Sequence, residues 1–300
     1  MMNRRRFLSI TAAAVATPSL SATPVRWQGR ALGAEVSLTL YAPDRQGNAL
    51  LEEVKTLLLQ VETEFSLFDP QSALSRLNRT GRLTPSGRFL RLMALADQAH
   101  HATGGLFDPT VQPLWGALAR GENPEAARAH LGWDRLRLSP SEIVLDPGQA
   151  LTFNGIAQGF ATDLVRDHLT RAGLTHALIN VGEFAAIGGP FRLGMADPEH
   201  GLMSVLHLTD RAVATSSPNA QKIGKSAHIL HPKAQKKSPL WSTVSVTCDS
   251  AALADAASTA FCLMSEEEIG IALGKLDGTP RASLVTHDGH LIRVHRSSGG

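Results

Sequence analysis

The sequence predicts an α+β protein, a single folded unit of mixed strands and helices. Apolar residues alternate with polar ones at Val36, Leu38 and Leu40, which is typical of a half-buried strand. Farther along, apolar residues recur with helical spacing, at Leu50, Leu51, Val54, Leu57, Leu58 and Val61. The two periods mix without a regular strand–helix–strand repeat, so we expect an α+β unit over residues 25–296, built either as one body or as two lobes.

Further elements follow from helix-end signals and apolar spacing. A helix is predicted over residues 88–102, because Gly104 and Gly105 suit its carboxyl end. A short polar surface helix is expected over residues 123–131. From Leu136 onward short strands dominate, interrupted by helices near residues 159–172, 250–263 and 265–273. Ser265 and Glu268 have the spacing of a capping box at the start of the last helix.

The composition argues against several classes of protein. The 300 residues are 43% hydrophobic and 19% charged, which is enough apolar sequence for a packed core. Only 5% are aromatic, and the chain has neither a long run of like charge nor a Cys/His zinc spacing. Residues 1–22 hold three arginines and no acid, which leaves 26 basic and 27 acidic residues in the remainder. We therefore expect no nucleic-acid partner.

The first 22 residues have the layout of a twin-arginine export signal. Arg4 and Arg5 precede Phe7 and Leu8, and a mildly apolar, alanine-rich stretch follows. That stretch is too short to span a bilayer, so cleavage near Ser21 or Ala22 is expected. The sequence predicts a periplasmic protein whose mature chain has no membrane span.

The chain has two cysteines. Cys248 ends a strand-like run over residues 242–247, and Cys262 lies on the helix that follows. A disulfide between them is one alternative, and two small buried residues with free thiols are the other, which we favour.

The segment over residues 152–163 is the first of three that suggest chemistry. It passes from an apolar strand through a turn containing Gly155 into a helix. Backbone amides at such a helix start can bind a phosphate group, although a glycine-spaced turn also occurs without a ligand.

Asp255 and Thr259 form the second candidate. They are four residues apart on a small, apolar helix, so both oxygen-bearing side chains lie on one face. A carboxylate and a hydroxyl suit a hard cation such as Mg²⁺. The alternative is a structural pair, with Asp255 favoured by the helix dipole and Thr259 bonded to a carbonyl of its own helix.

His228 and His231 form the third candidate, in an extended or turn segment before Pro232. Either imidazole could act as a general base near neutral pH. Alternatively, His231 could bond to a ligand, or both could cap a turn.

Taken together, these segments resemble the ApbE family of FAD:protein FMN transferases. The matching stretches occur in the family's order at residues 29–34, 65–70 with 72–78, 103–110, 154–163, 180–182, 214–217, 228–232 and 254–259. The resemblance covers most of the chain from Gly29 to Val285.

The resemblance implies an enzyme that binds FAD with Mg²⁺ and transfers FMN to a threonine or serine hydroxyl of a target protein, releasing AMP. It implies that the metal is held by Asp255, Thr259 and the carbonyl of Ala157, and that His228 is the general base. It places further residues around the flavin nucleotide, namely Asn78, Asp108, Gly155, Gln158, Thr215 and Ser216. The implied partner is an acceptor flavoprotein of the periplasm or the inner membrane.

The chain also departs from the family pattern. Gln158 stands where the family usually has a lysine, Gly182-Glu183-Phe184 replaces Gly-Gly-Asp, and His231 replaces an aspartate. These changes leave two alternatives open beside transfer, a diverged periplasmic FAD-binding protein without transfer and an FAD pyrophosphatase.

Overall fold

The computed structural model describes residues 23–223, 226–234 and 238–296. The predicted export signal, residues 1–22, lies outside the described residues. The α-helices of the described part are α1 (Asp44–Phe65), α2 (Ala73–Thr80), α3 (Gly87–Ala102), α4 (Gln112–Arg120), α5 (Pro124–Arg128), α6 (Ala157–Arg171), α7 (Ala251–Phe261) and α8 (Glu266–Leu273). The strands are β1 (Val25–Ala31), β2 (Ala34–Leu40), β3 (Arg82–Leu83), β4 (Arg137–Leu138), β5 (Ile143–Val144), β6 (Ala177–Val181), β7 (Phe184–Ile187), β8 (Phe191–Asp197), β9 (Gly201–Leu208), β10 (Ala212–Ser216), β11 (Lys222–Ile223), β12 (Ser226–Ala227), β13 (Thr243–Cys248), β14 (Arg281–Val285) and β15 (Leu291–His295).

An eight-stranded antiparallel sheet forms the centre of the fold, in the order β1-β2-β6-β7-β10-β13-β14-β15. Strands β8 and β9 pair as a separate hairpin, β3, β5 and β4 form a small sheet, and β11 pairs with β12. Helices and antiparallel strands are thus mixed, which confirms the predicted α+β class.

The main core lies between this sheet and the helices. It includes the helical stripe on α1 that the apolar spacing predicts, with Val54 and Val61 fully buried. Phe65 contacts Phe153 and Phe160 edge to face, at ring-centroid distances of 5.9 and 5.8 Å. Aromatic pairs in this arrangement add to the stabilisation from burial, so the start of α6 is anchored on α1.

Most predicted elements are confirmed within one or two residues. The capping box of α8 is present, with Ser265 and Glu268 each bonding to the other's backbone. The apolar strand predicted at the beginning of residues 152–163 is wrong, because Leu151, Thr152 and Phe153 form no strand. The backbone of this segment bonds to the side chain of Asn78 and to the carbonyl of Pro109 instead of to a neighbouring strand.

Both cysteines are buried with free thiols. Burial raises the pKa of the Cys262 thiol well above its usual value, and its Sγ donates to the carbonyl of Ser258 at 3.2 Å. In the part of the chain that the structure describes, no helix combines the length and apolar character needed to cross a membrane.

Candidate functional site

Two glycines allow α6 and the turn before it to approach α7 closely. A Cβ added to Gly159 would lie 2.2 Å from the carbonyl oxygen of Ala251, and one added to Gly155 would lie 2.9 Å from Oγ1 of Thr259. No real side chain fits at the first distance, so the contact between the helices requires glycine there. The glycines predicted to form a phosphate-binding turn are therefore also required for the packing of α6 against α7.

Asp163 on α6 fixes the start of α7. Its carboxylate accepts hydrogen bonds from Ser250 Oγ at 2.7 Å, from the amide of Ala251 at 2.9 Å and from the amide of Ala252 at 3.0 Å. Amides at a helix start lack partners within the helix, so a carboxylate there stabilises the helix. One turn farther on, this arrangement holds Asp255 against the start of α6.

Asp255 is 95% buried, and its Oδ2 accepts a hydrogen bond from the amide of Gly159 at 3.1 Å. Burial raises the pKa of Asp255 to about 7, although the Gly159 hydrogen bond opposes that change. Asp255 is the fifth residue of α7 and does not belong to its first turn, so the helix-dipole alternative fails. Within the described residues, no cationic side chain pairs with this carboxylate.

Glu183 is a second buried carboxylate in the same region, and the site residues predicted from the sequence do not include it. It lies in the turn between β6 and β7, where its Oε2 accepts a hydrogen bond from the amide of Thr215 at 3.0 Å. Burial, followed by the negative charge of Asp255, raises the pKa of Glu183 well above its usual value. The replacement of the family's Gly-Gly-Asp was the signal that could have identified it.

A group of hydroxyls surrounds these carboxylates. Thr215 Oγ1 and Ser245 Oγ are 2.7 Å apart, and Ser216 Oγ lies 2.8 Å from Ser258 Oγ and 3.4 Å from Thr259 Oγ1. The structure thus brings Ser216 on β10 close to Thr259 on α7, while the preceding residue, Thr215, bonds to Ser245 on β13.

The donor set fits a hard cation. Described residues contain no group of three or more His, Cys, Asp or Glu side chains that could hold a metal ion. Mg²⁺ needs few protein ligands, because water and phosphate oxygens complete its octahedron. Asp255 and Thr259 supply oxygen ligands of this kind, and Gly155, which has no side chain, packs directly against the Thr259 hydroxyl. The carbonyl of Ala157 remains a predicted ligand, in the first turn of α6.

His228 is held in one tautomer. Its Nδ1 lies 3.0 Å from the carbonyl oxygen of Pro218 and 3.2 Å from that of Gln221. Carbonyl oxygens only accept, so Nδ1 carries the proton and Nε2 of the neutral ring has the free electron pair. Burial lowers the pKa of His228, which favours this neutral form. Pro218 follows Ser216 by two residues, so the imidazole is bonded to the segment just beyond β10.

His231 adopts the opposite tautomer and caps a turn. Its Nδ1 accepts hydrogen bonds from the amides of Lys233 and Ala234, at 3.1 and 3.0 Å. An aspartate carboxylate at this position could accept from the same amides, so the departure from the family pattern preserves the turn. Of the alternatives for this histidine pair, namely a general base, a ligand contact by His231 or a turn cap, the geometry favours a cap for His231 and allows a base for His228.

Two side chains attach the His231 turn to the rest of the protein. The Arg128 guanidinium donates to the carbonyls of His231 and Ala234, at 3.1 and 3.2 Å. Lys233 Nζ donates to the carbonyl of Gly104 at 2.6 Å. The turn is therefore fastened both to α5 and to the glycine turn after α3.

The remaining predicted residues make backbone contacts. Asn78 donates to the carbonyl of Leu151 at 2.8 Å and accepts from its amide at 2.7 Å, while Asp108 accepts from the amide and hydroxyl of Thr110. Gln158 donates to the carbonyl of Leu32 at 3.3 Å and lies against Gly182. Their proposed contacts with a nucleotide stay predictions.

A separate groove of about 940 Å³ opens beside α2, α4 and α5. Asn78 and Arg120 are part of its wall, but Asp255, Thr259 and His228 are not. Its acidic side chains, Glu122 and Asp146, are exposed or half-buried, so we place the chemistry at the start of α6 instead.

The chain is similar to known proteins of one family. The sequence matches the model of the ApbE family over residues 32–279. The FAD:protein FMN transferase of Vibrio cholerae is 26% identical over 270 residues, which cover 80% of each protein. The FAD:protein FMN transferase of Rhodobacter capsulatus is 29% identical over 189 residues, which cover 55% of this chain and 36% of that relative.

The fold is also similar to a solved structure. The flavin transferase ApbE from Vibrio cholerae superposes with a TM-score of 0.80 at 24% sequence identity, covering 92% of this chain and 98% of the other. The two proteins therefore share one fold.

Proposed function

The chain belongs to the ApbE family, and on that premise we propose that it is a flavin transferase, an FAD:protein FMN transferase. It transfers the FMN half of FAD to a threonine or serine hydroxyl of an acceptor flavoprotein and releases AMP. The observation that carries the proposal is the buried carboxylate of Asp255, which faces the amino end of α6 beside the Thr259 hydroxyl.

The start of α6 suits a diphosphate. The amide of Gly159 in its first turn donates to Asp255, and the positive end of the helix dipole favours an anion beside it. Two anionic groups, the diphosphate and Asp255, require a cation between them. Mg²⁺ bound by Asp255, Thr259 and the Ala157 carbonyl would neutralise charge that develops as the diphosphate breaks.

We assign to His228 the role of accepting the proton of the acceptor hydroxyl. In the proposed reaction the hydroxyl oxygen attacks the phosphorus of the FMN half, forming a phosphoester as the bond to the AMP oxygen breaks. The hydroxyl proton passes to Nε2 of His228, the unprotonated nitrogen of the observed tautomer. General bases of this kind accelerate a reaction on the order of 10²–10⁴-fold.

The acceptor and the location follow from the export signal predicted over residues 1–22. We propose that the mature enzyme works in the periplasm, on a periplasmic or inner-membrane flavoprotein. The net charge of the chain beyond the signal is close to zero, so the mature protein has no strong electrostatic attraction for nucleic acid.

One assay tests the function against both alternatives. Purified protein is incubated with FAD, Mg²⁺ and an acceptor protein that carries a flavinylation threonine. Release of AMP together with covalent flavin on the acceptor supports transfer. AMP and free FMN indicate a pyrophosphatase, and bound FAD without AMP indicates a flavin-binding protein.

A further inference from the structure

Glu183 is a buried carboxylate that the proposed reaction does not use. Only 7% of its surface is exposed, and its Oε2 accepts the amide of Thr215. Among the described residues, its other oxygen has no hydrogen-bond partner and no cationic side chain forms an ion pair with it. A charged group buried in this way is unfavourable unless something compensates it.

The first two turns of α6 bring Glu183 and Asp255 together. Gly159 donates its amide to Asp255 at 3.1 Å, and Thr162 donates its hydroxyl to the backbone carbonyl of Glu183 at 3.1 Å. Between them, Gln158 lies so close to Gly182 that a Cβ there would come within 2.6 Å of Oε1 of Gln158. One helix end thus contacts the segments that carry both carboxylates.

Strand β10 and helix α7 complete the enclosure. Thr215 bonds to Glu183, and the next residue, Ser216, approaches Thr259 on the same helix as Asp255. The two carboxylates are therefore surrounded by amides and hydroxyls, none of which carries a full positive charge. Two buried carboxylates repel each other, and a divalent cation compensates both at once.

We propose that Glu183 is a second carboxylate ligand of the divalent cation that Asp255 binds. The pair then binds the cation in the absence of FAD, whereas Asp255 alone would depend on phosphate oxygens to hold it. The proposal deepens the proposed function and rests on it for the location of the cation site.

The test measures binding of Mn²⁺ alone, a paramagnetic substitute for Mg²⁺ that prefers the same oxygen ligands. Free Mn²⁺ is followed by electron paramagnetic resonance in wild type, Glu183→Gln and Glu183→Ala, without FAD. The Gln side chain retains an oxygen that can accept the Thr215 amide, but it has no charge. We expect wild type to bind one Mn²⁺ and both variants to bind it at least about tenfold more weakly.

Glu62→Gln is the matched control. Glu62 also accepts a single backbone amide, that of Leu32 at 2.7 Å, but it lies on α1 and shares no hydrogen bond with Asp255 or Glu183. Its Mn²⁺ affinity should equal that of wild type. Circular dichroism and thermal melting of each variant establish that it is folded.

Two results would overturn the proposal. The first is a wild type that binds no Mn²⁺ without FAD. The second is a folded Glu183→Gln with wild-type affinity, which would leave Glu183 as a structural partner of Thr215. The assay contains no flavin, so weaker Mn²⁺ binding by the Glu183 variants supports the role of Glu183 even if the protein transfers no FMN. Conversely, if the protein transfers FMN but the Glu183 variants bind Mn²⁺ as wild type does, the role of Glu183 is refuted and the transferase function is not.

Discussion

Gly155 leaves the space that the Thr259 side chain occupies. A Cβ built on Gly155 would come within 2.9 Å of Thr259 Oγ1 and 3.3 Å of its Cγ2. Thr259 lies on α7, and the start of this helix is held by hydrogen bonds to the Asp163 carboxylate. The helix therefore cannot move away from Gly155 without breaking those bonds. The turn before α6 and the last turn of α7 therefore determine jointly where the Thr259 hydroxyl points.

This contact predicts the effect of Gly155→Ala. The added methyl group should turn or displace Thr259 by a few tenths of an ångström, and we expect flavin transfer to fall on the order of tenfold. Overpacking should also lower the free energy of unfolding by about 1–3 kcal/mol. Transfer rates and urea denaturation check both effects.

Gly87→Ala serves as the control, because a Cβ at Gly87 meets no atom within 4 Å in the first turn of α3. It should leave both transfer and stability close to wild type. If Gly155→Ala keeps the transfer rate and stability of Gly87→Ala, flavin transfer does not depend on the observed position of the Thr259 hydroxyl.

Sequence spacing was enough to locate Asp255, Thr259 and His228 on their elements, because helical period and turn residues are local signals. It could not reveal Glu183 as a member of the same cluster. Glu183 and Asp255 are 72 positions apart along the chain, and they meet only because α6 packs across both segments. Likewise, the wrong strand at Leu151–Phe153 reflects a side-chain partner, Asn78, that no local pattern predicts.

Asp255→Ala should abolish most of the Mg²⁺-dependent turnover with little loss of stability. The variant removes the carboxylate ligand, and we expect AMP release to fall on the order of 10²-fold or more. The lost hydrogen bond to Gly159 costs about 1 kcal/mol, which relief of the buried charge offsets in part. Thr259→Val should show the same defect in milder form. Unchanged AMP release at limiting Mg²⁺ would remove Asp255 from the site.

The raised pKa of Asp255 predicts how the stability of the metal-free protein depends on pH. The folded state holds a proton up to about pH 7, whereas the unfolded chain releases it near pH 4. The protonated Asp255 therefore adds to the free energy of unfolding. This stabilisation is fully present below pH 4 and is lost as the pH rises through 7, by at most about 1.4 kcal/mol per pH unit.

Urea denaturation of wild type and Asp255→Asn between pH 5 and 8 measures this effect. The free energy of unfolding of the asparagine variant, which has no proton to release at this position, should depend less steeply on pH than that of wild type. Parallel curves for the two proteins would mean that Asp255 titrates at its ordinary value.

The export prediction concerns residues 1–22. Replacing Arg4 and Arg5 by lysine should leave unprocessed precursor in the cytoplasm, because lysine lacks the planar donor fork of arginine. Cell fractionation followed by immunoblotting of precursor and mature forms checks this. A variant exported as efficiently as wild type would contradict a twin-arginine signal.

His228→Asn should separate flavin binding from flavin transfer. The variant removes Nε2 as proton acceptor, so we expect FAD affinity to remain and covalent flavinylation to fall on the order of 10²–10⁴-fold, without recovery at higher Mg²⁺. In wild type, burial lowers the pKa of His228, so the base stays neutral and active until the pH drops below its ordinary value near 6.5. The transfer rate should therefore fall only under acidic conditions, and this acidic limb should be absent from the residual activity of the variant.

His231→Asp is the matched control for the neighbouring imidazole. Its carboxylate can accept the amides of Lys233 and Ala234 that His231 now binds, so the turn should persist and most activity should remain. His231→Ala, which offers no acceptor, should instead loosen the turn that Arg128 and Lys233 hold, lowering activity through a weaker apparent affinity for FAD or acceptor. Equal flavinylation by wild type and His228→Asn would refute the general base. If His231→Asp is as inactive as His228→Asn, the second imidazole takes part in the reaction and is more than a cap.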